Sequence, residues 1–158
     1  MQLYFVLDPA IDPLVIRFLQ EHLDDMRKVS PPESVHALDV EKLRQPDIRF
    51  WTAWMQQPNG SVLVGTCALK QLDASHAELK TMRVQSAYRG SDAAQRILAH
   101  ALNEAQASGV DRISLETGTE PFFTPARRFY ARNGFEPCEP FGGYQLDPHS
   151  CFMTRAIR

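Results

Sequence analysis

Two periods of hydrophobic and polar positions divide the chain, one of about two residues and one of three to four, and they predict strands and helices respectively. Gln2 to Leu7 carries β-rich residues and stops at Asp8-Pro9, where a ladder N–H is lost, so it predicts an edge or opening strand. From Asp12, the residues Leu14, Val15, Phe18, Leu19, Leu23 and Met26 recur at helical spacing. Asp12-Pro13 supplies an N-cap and a first-turn proline, and the helix is predicted to end near Lys28. Ser30-Pro31-Pro32 breaks the pattern, after which Val35, Leu38, Val40 and Leu43 predict a second, shorter helix closed by Pro46.

Ile48 to Met55, the turn Pro58-Asn59-Gly60, and Ser61 to Leu72 predict a hairpin. Asp73-Ala74-Ser75 turns the chain into His76 to Val84, making three consecutive antiparallel strands. Asp92 to Ser108 holds an apolar stripe of Ala93, Ala94, Ile97, Leu98, Ala101, Leu102 and Ala105, with Gly109 as the residue beyond the helix end. Arg112 to Glu116 reads as a short buried strand, Pro125 to Arg132 as a short helix stopped at Asn133-Gly134, and Phe135 to Cys138 and Cys151 to Ile157 as the last strands. The order β-α-α-β-β-β-α-β-α-β-β predicts an α/β (α+β layered) fold, a mixed sheet covered by helices. The 158 residues, 44% of them hydrophobic, have room for a single domain over 1–158 with a real core.

Charge narrows the partners. A formal net charge of −2 provides no general cationic field, so neither nucleic acid nor an anionic membrane surface is expected, and any anion site must be local. The apolar stretches fall well short of the roughly 18 residues of a membrane span, and MQLYFVLD has no secretory signal pattern, which places the expectation in the cytoplasm. Cys67, Cys138 and Cys151 are odd in number and form no C-x-x-C pair, so reduced thiols are expected. The five histidines show no metal spacing, and Ser61, Ser114 and Ser150 sit in no nucleophile elbow. No metal is expected.

The informative stretch runs from Ala77 to Leu98, where a strand enters a tight loop containing Arg89-Gly90 that opens directly onto the long helix. Unpaired N–H groups, the helix dipole and the Arg89 charge together make an anion site suited to phosphate or pyrophosphate. Read alone, an Arg-Gly pair is more often a turn with a solvated arm.

With their surroundings these residues resemble the GNAT superfamily of acetyl-CoA-dependent N-acetyltransferases, in its small stand-alone bacterial form. Val84, Arg89, Asp92 and Ala94 occupy the positions of a strand-ending Val followed by Arg/Gln-x-x-Gly-x-Gly/Ala, and Ala126 to Phe135 looks like Ala-x-x-x-Tyr-x-x-x-Gly-Phe. The resemblance implies a mostly antiparallel central sheet with helices on both faces, and acetyl-CoA lying where the fourth strand splays from the fifth. It implies that Met82, Arg83 and Val84 meet pantetheine, that Arg89, Gly90, Ser91, Asp92, Ala93 and Ala94 hold the pyrophosphate, and that Ala126 and Phe129 complete the cofactor site. Tyr130 matches the general acid, whose phenol stays protonated at neutral pH. Glu78 matches a general base, although a strand carboxylate paired with Lys80 on the same nominal face is an equal reading. The Val84 N–H is the implied oxyanion donor.

Two positions depart from that pattern. Asp92 stands where Gly is usual, and Asp92-Ala93-Ala94-Gln95 reads as a capping box whose carboxylate would compete for a phosphate-binding N–H. Phe123 stands where many relatives have Asn, and packs as an apolar wall. The acceptor, a primary amine of a small molecule or peptide, is expected between Met26 to Pro32, Trp51 to Trp54, Thr117 to Phe123 and Phe141 to Tyr144. Trp51 and Trp54, three apart, are expected on opposite faces of their strand. The last strands offer a surface for a homodimer. The competing reading is a non-catalytic module of the same fold that senses an acyl-CoA or another ligand, motivated by Asp92 and Phe123.

Overall fold

The computed structural model describes residues 2–36 and 39–157. Seven strands, β1 (Leu3–Leu7), β2 (Ile48–Gln57), β3 (Gly60–Gln71), β4 (His76–Val84), β5 (Arg112–Gly118), β6 (Glu136–Pro137) and β7 (Ser150–Ala156), form one sheet in the order β1-β2-β3-β4-β5-β7-β6. Neighbours are antiparallel except β4 and β5. The helices are α1 (Pro13–Val29), α2 (Val40–Leu43), α3 (Ala93–Ala107) and α4 (Thr124–Arg132). No helix among the described residues is long and apolar enough to cross a membrane.

Strand alternation builds a core on each face of the sheet. Phe50 packs with Val15, Phe18 and Leu19 of α1 and Leu43 of α2, whereas Trp51 and Ala53 pack with Ile97, Leu98 and Ala101 of α3. Helices therefore cover both faces, as expected, and burial of each such side chain contributes about 1.5 to 3 kcal/mol. Trp51 and Trp54 lie on opposite faces, and the Trp54 indole donates to Thr52 Oγ1 at 2.7 Å. Asp12 caps α1 by accepting from the Leu14 amide at 2.9 Å, with Pro13 in the first turn.

The second helix is shorter than its spacing implied. Pro32–Ser34 forms a 3-10 turn closed by the Val35 amide on the Pro32 carbonyl, Val35 is extended, and only Val40–Leu43 is α-helical. Asp39 caps that single turn through the Lys42 amide at 2.9 Å. Leu38 lies outside the described residues. The penultimate strand is reduced to Glu136–Pro137, since Pro137 has no N–H to extend the ladder.

The functional region depends on a break in the β3–β4 register. Thr66 is opposite Arg83 and Ala68 opposite Lys80, so Thr81 and Met82 share the space facing Cys67, a β-bulge. Thr81 takes a left-handed φ of 54, and the buried Thr66 hydroxyl donates to its carbonyl at 2.7 Å. β4 pairs with β5 only from His76 to Glu78, against Arg112 to Ser114, and beyond that the two strands part. Gly65, paired with Val84 beside the bulge, lets β4 and α3 close in: a Cβ there would lie 2.4 Å from the Arg83 carbonyl and 2.8 Å from Ile97 Cδ1. Gly65→Ala is expected to destabilise the protein by about 2 to 3 kcal/mol, read as a lower urea midpoint at unchanged slope. A change below about 0.5 kcal/mol would show that the strand and helix yield freely.

Candidate active site

Where β4 and β5 part, a cavity of ≈ 340 Å³ opens. Its walls are β4 from Glu78 to Val84, β5 from Leu115 to Thr117, one side of α1 at His22, Asp25 and Met26, and Ala126 and Tyr130 of α4. Gln85 donates its amide to the Val64 carbonyl at 2.8 Å on β3, so alternation turns the Val84 N–H the other way, into the gap. Met82 and Val84 pack on the α3 side, whereas Arg83 reaches the α1 side, with its guanidinium 5.2 Å from the Phe18 ring centre.

The loop after β4 is a 3-10 turn, Ser86–Tyr88, followed by Gly90 at φ +80. The amides of Gly90, Ala94 and Gln95 take no acceptor within the described residues. The expected capping box does not form. Asp92 has φ −83 and ψ 8, its carboxylate binds Arg96 Nε at 2.7 Å one turn on, and that guanidinium holds the carboxyl below its ordinary range. Ser91 takes the cap instead, its hydroxyl accepting from the Ala93 amide at 3.2 Å. Of the expected phosphate-binding set, Arg89 lines the cavity. Gly90, Ser91 and Asp92 stand exposed beside it, while Ala93 is buried under the helix start.

Tyr130 is buried, packs edge-on against Phe129 and Phe135, and lines the cavity. Its hydroxyl has no hydrogen-bond partner among the described residues, and burial pushes its pKa up, keeping the proton on the phenol. Phe129, expected to complete the cofactor site, is only half-buried, packs against the α3-side core and does not line the cavity. Phe123 is buried against Gly118, where a Cβ would lie 2.1 Å from its ring, so the packing role expected for it holds, and it also walls the cavity.

Glu78 is 3% exposed and already engaged: its Oε2 accepts from Lys80 Nζ at 3.1 Å and from the Tyr144 hydroxyl at 2.5 Å, while Lys80 also donates to that hydroxyl at 2.8 Å. The strand pairing of Glu78 with Lys80 is therefore present. The carboxylate left without such partners is Glu116, on β5 across the gap, which the sequence reading did not single out. Burial raises its pKa from 4.5 to about 7, with Ser150 and Lys80 opposing in part. Its signal in the sequence was a lone carboxylate within the otherwise buried run Ile113 to Gly118. His22, also missed, is held neutral: burial, then the Arg83 charge, lower its pKa to about 4. Trp51, Trp54 and Phe141 to Gly143 do not line the cavity, and Tyr144 joins it only through Lys80 and Glu78.

The pattern of the Acetyltransferase (GNAT) family matches residues 15–135. The chain is 43% identical over 155 residues to the uncharacterized N-acetyltransferase YsnE of Bacillus subtilis, covering 98% of this chain and 100% of that protein. It is 46% identical over 150 residues to the uncharacterized N-acetyltransferase YedL of Escherichia coli, covering 95% and 92% respectively. Among solved structures, the PaiA N-acetyltransferase of Thermoplasma acidophilum in complex with coenzyme A shares the fold, with a TM-score of 0.65, 15% identity and 99% of each chain covered. The chain belongs to the GNAT family of acetyltransferases, and is an N-acetyltransferase of mixed α/β fold.

Proposed function

We propose that the protein moves the acetyl group of acetyl-CoA to a primary amine by direct attack, with no acyl-enzyme intermediate. The observation that carries this is the Tyr130 hydroxyl, unpaired and protonated in the cavity between β4 and β5. The Val84 N–H and the parted edges of β4 and β5 accept the pantetheine arm and the carbonyl oxygen. Arg89 and the free amides of Gly90, Ala94 and Gln95 receive the pyrophosphate. The amine nitrogen bonds to the thioester carbon, the Val84 N–H stabilises the resulting oxyanion, and the carbon–sulfur bond breaks as Tyr130 hands its proton to sulfur. Glu116 takes the proton that leaves nitrogen; Glu78 holds Lys80 and Tyr144 in place.

The reading as a non-catalytic sensor of an acyl-CoA or another ligand rested on Asp92 and Phe123. With the Asp92 carboxylate turned to Arg96, the loop amides stay open to a phosphate, and the unpaired Tyr130 hydroxyl in the cavity supports catalysis. Tyr130→Phe is expected to lower kcat by about 10²- to 10³-fold in a thiol-release assay, with calorimetric affinity for CoA within twofold. An unchanged kcat, or an equal loss of affinity, would make Tyr130 a packing residue only.

Glu116 separates the two candidate bases. Wild-type kcat/KM should climb as pH rises through about 7 and then level, since the base works only when deprotonated. Glu116→Gln should lose that limb and Glu78→Gln should keep it; the reverse result would restore Glu78 as the base. A second readout needs no turnover. Because the folded protein holds the Glu116 proton more tightly than the unfolded chain, its stability falls as pH rises from 4.5 through 7. Glu116→Gln should therefore melt at a higher temperature than wild type at pH 8 and at the same temperature near pH 4.

A further inference from the structure

Resting on the acyl-transfer reading above, we propose that the acceptor is a small amine bearing a carboxylate, anchored by Arg83 with Thr81 beside it. The Arg83 side chain is 12% exposed and forms one hydrogen bond, from Nη2 to Asp25 Oδ2 at 3.0 Å. Its Nε is buried with no acceptor, and so is the Thr81 hydroxyl two residues earlier. Both residues line the cavity, with His22 and Asp25 on the wall opposite β5. A mostly buried guanidinium with an orphaned Nε donor is an incomplete site, and a carboxylate matches its fork. The charges nearby agree: Arg83 and Lys28, the latter at 3.8 Å, share the single carboxylate of Asp25.

Spacing sets the size of the acceptor. Glu116 feels the Lys80 charge across the gap, and Arg83 lies three positions beyond Lys80, about 7 to 10 Å along β4 after allowing for the bulge. An amine at Glu116 and a carboxylate at Arg83, each at hydrogen-bond distance, are then joined by a short carbon chain. Ser30 Oγ donates to Glu120 at 3.2 Å, Ser34 Oγ to Asp147 at 2.6 Å, and His149 Nδ1 meets Glu120 at 2.9 Å. These bonds tie the segment after α1 to the loops before α4 and before β7.

The test compares matched pairs differing only in the carboxylate, such as 5-aminopentanoate with butylamine and phenylalanine with phenethylamine, by calorimetry on the CoA-saturated protein and by thiol release with acetyl-CoA. The carboxylate members should bind, and turn over by kcat/KM, at least about tenfold better. Arg83→Gln should erase that preference, and Asp25→Asn should widen it by removing the competing anion. Asp25→Asn alone decides if Arg83→Gln does not fold. Equal or weaker binding of the carboxylate members, a preference that survives Arg83→Gln, or a tripeptide amine acetylated as fast as the best small acceptor would overturn the proposal. Carboxylate binding that needs Arg83 but gives no thiol release would sink the acetyl-transfer reading and leave the anchor standing.

Discussion

The hydrogen bond from the Thr66 hydroxyl to the Thr81 carbonyl, buried and 2.7 Å long, fixes the point at which the sheet opens. Thr81 occupies a left-handed conformation that costs a β-branched residue about 1 to 3 kcal/mol, and a buried bond of this kind offsets much of it. The extra residue shifts alternation by one. Leu79, Met82 and Val84 therefore pack with the α3 core, while Glu78, Lys80 and Arg83 face the α1 side. In an unbroken strand Arg83 would share the face of Leu79 and point into apolar packing. One bulge thus parts β4 from β5, aims the Val84 amide into the gap and delivers a guanidinium to the α1 wall of the cavity.

The polar groups around the gap stabilise the fold little and position it closely. Lys80 and Glu78, 9% and 3% exposed, are a buried pair whose attraction is set against the cost of removing both from water. Their shared bonds to Tyr144 tie β4 to the chain before β7, so the pair sets the shape of the acceptor side. Glu116 has no such partner, which leaves it free to exchange a proton near neutrality. Two carboxylates on facing strands thus have different partners: Glu78 is held by Lys80 and Tyr144, and Glu116 is not.

Much of the fold was legible because long periodic elements report one face each: α1, α3 and β2 to β4 follow their apolar spacing, and the order of elements follows with them. Short elements were less so. Pro31-Pro32 and the extended Val35 leave α2 a single turn, although Val35, Val40 and Leu43 keep a helical spacing. The motif around Val84, Arg89 and Tyr130 falls where β4 and β5 part, and the capping role expected of Asp92 is lost to its ion pair with Arg96 one turn on. Glu116 and the Arg83–Asp25 pair were hidden for a related reason. Their meaning comes from which residues across the sheet do or do not answer them, and the bulge that decides this leaves no clear mark in the residues of β4.

The central claim is that the parted strands and the loop beyond them hold coenzyme A, and amide hydrogen exchange with and without CoA tests it residue by residue. Exchange should slow at Val84, Gly90, Ala94 and Gln95 on adding CoA, with β1 and β2 unchanged. Unaltered exchange at those four amides under saturating CoA, or protection confined to another part of the chain, would contradict the account.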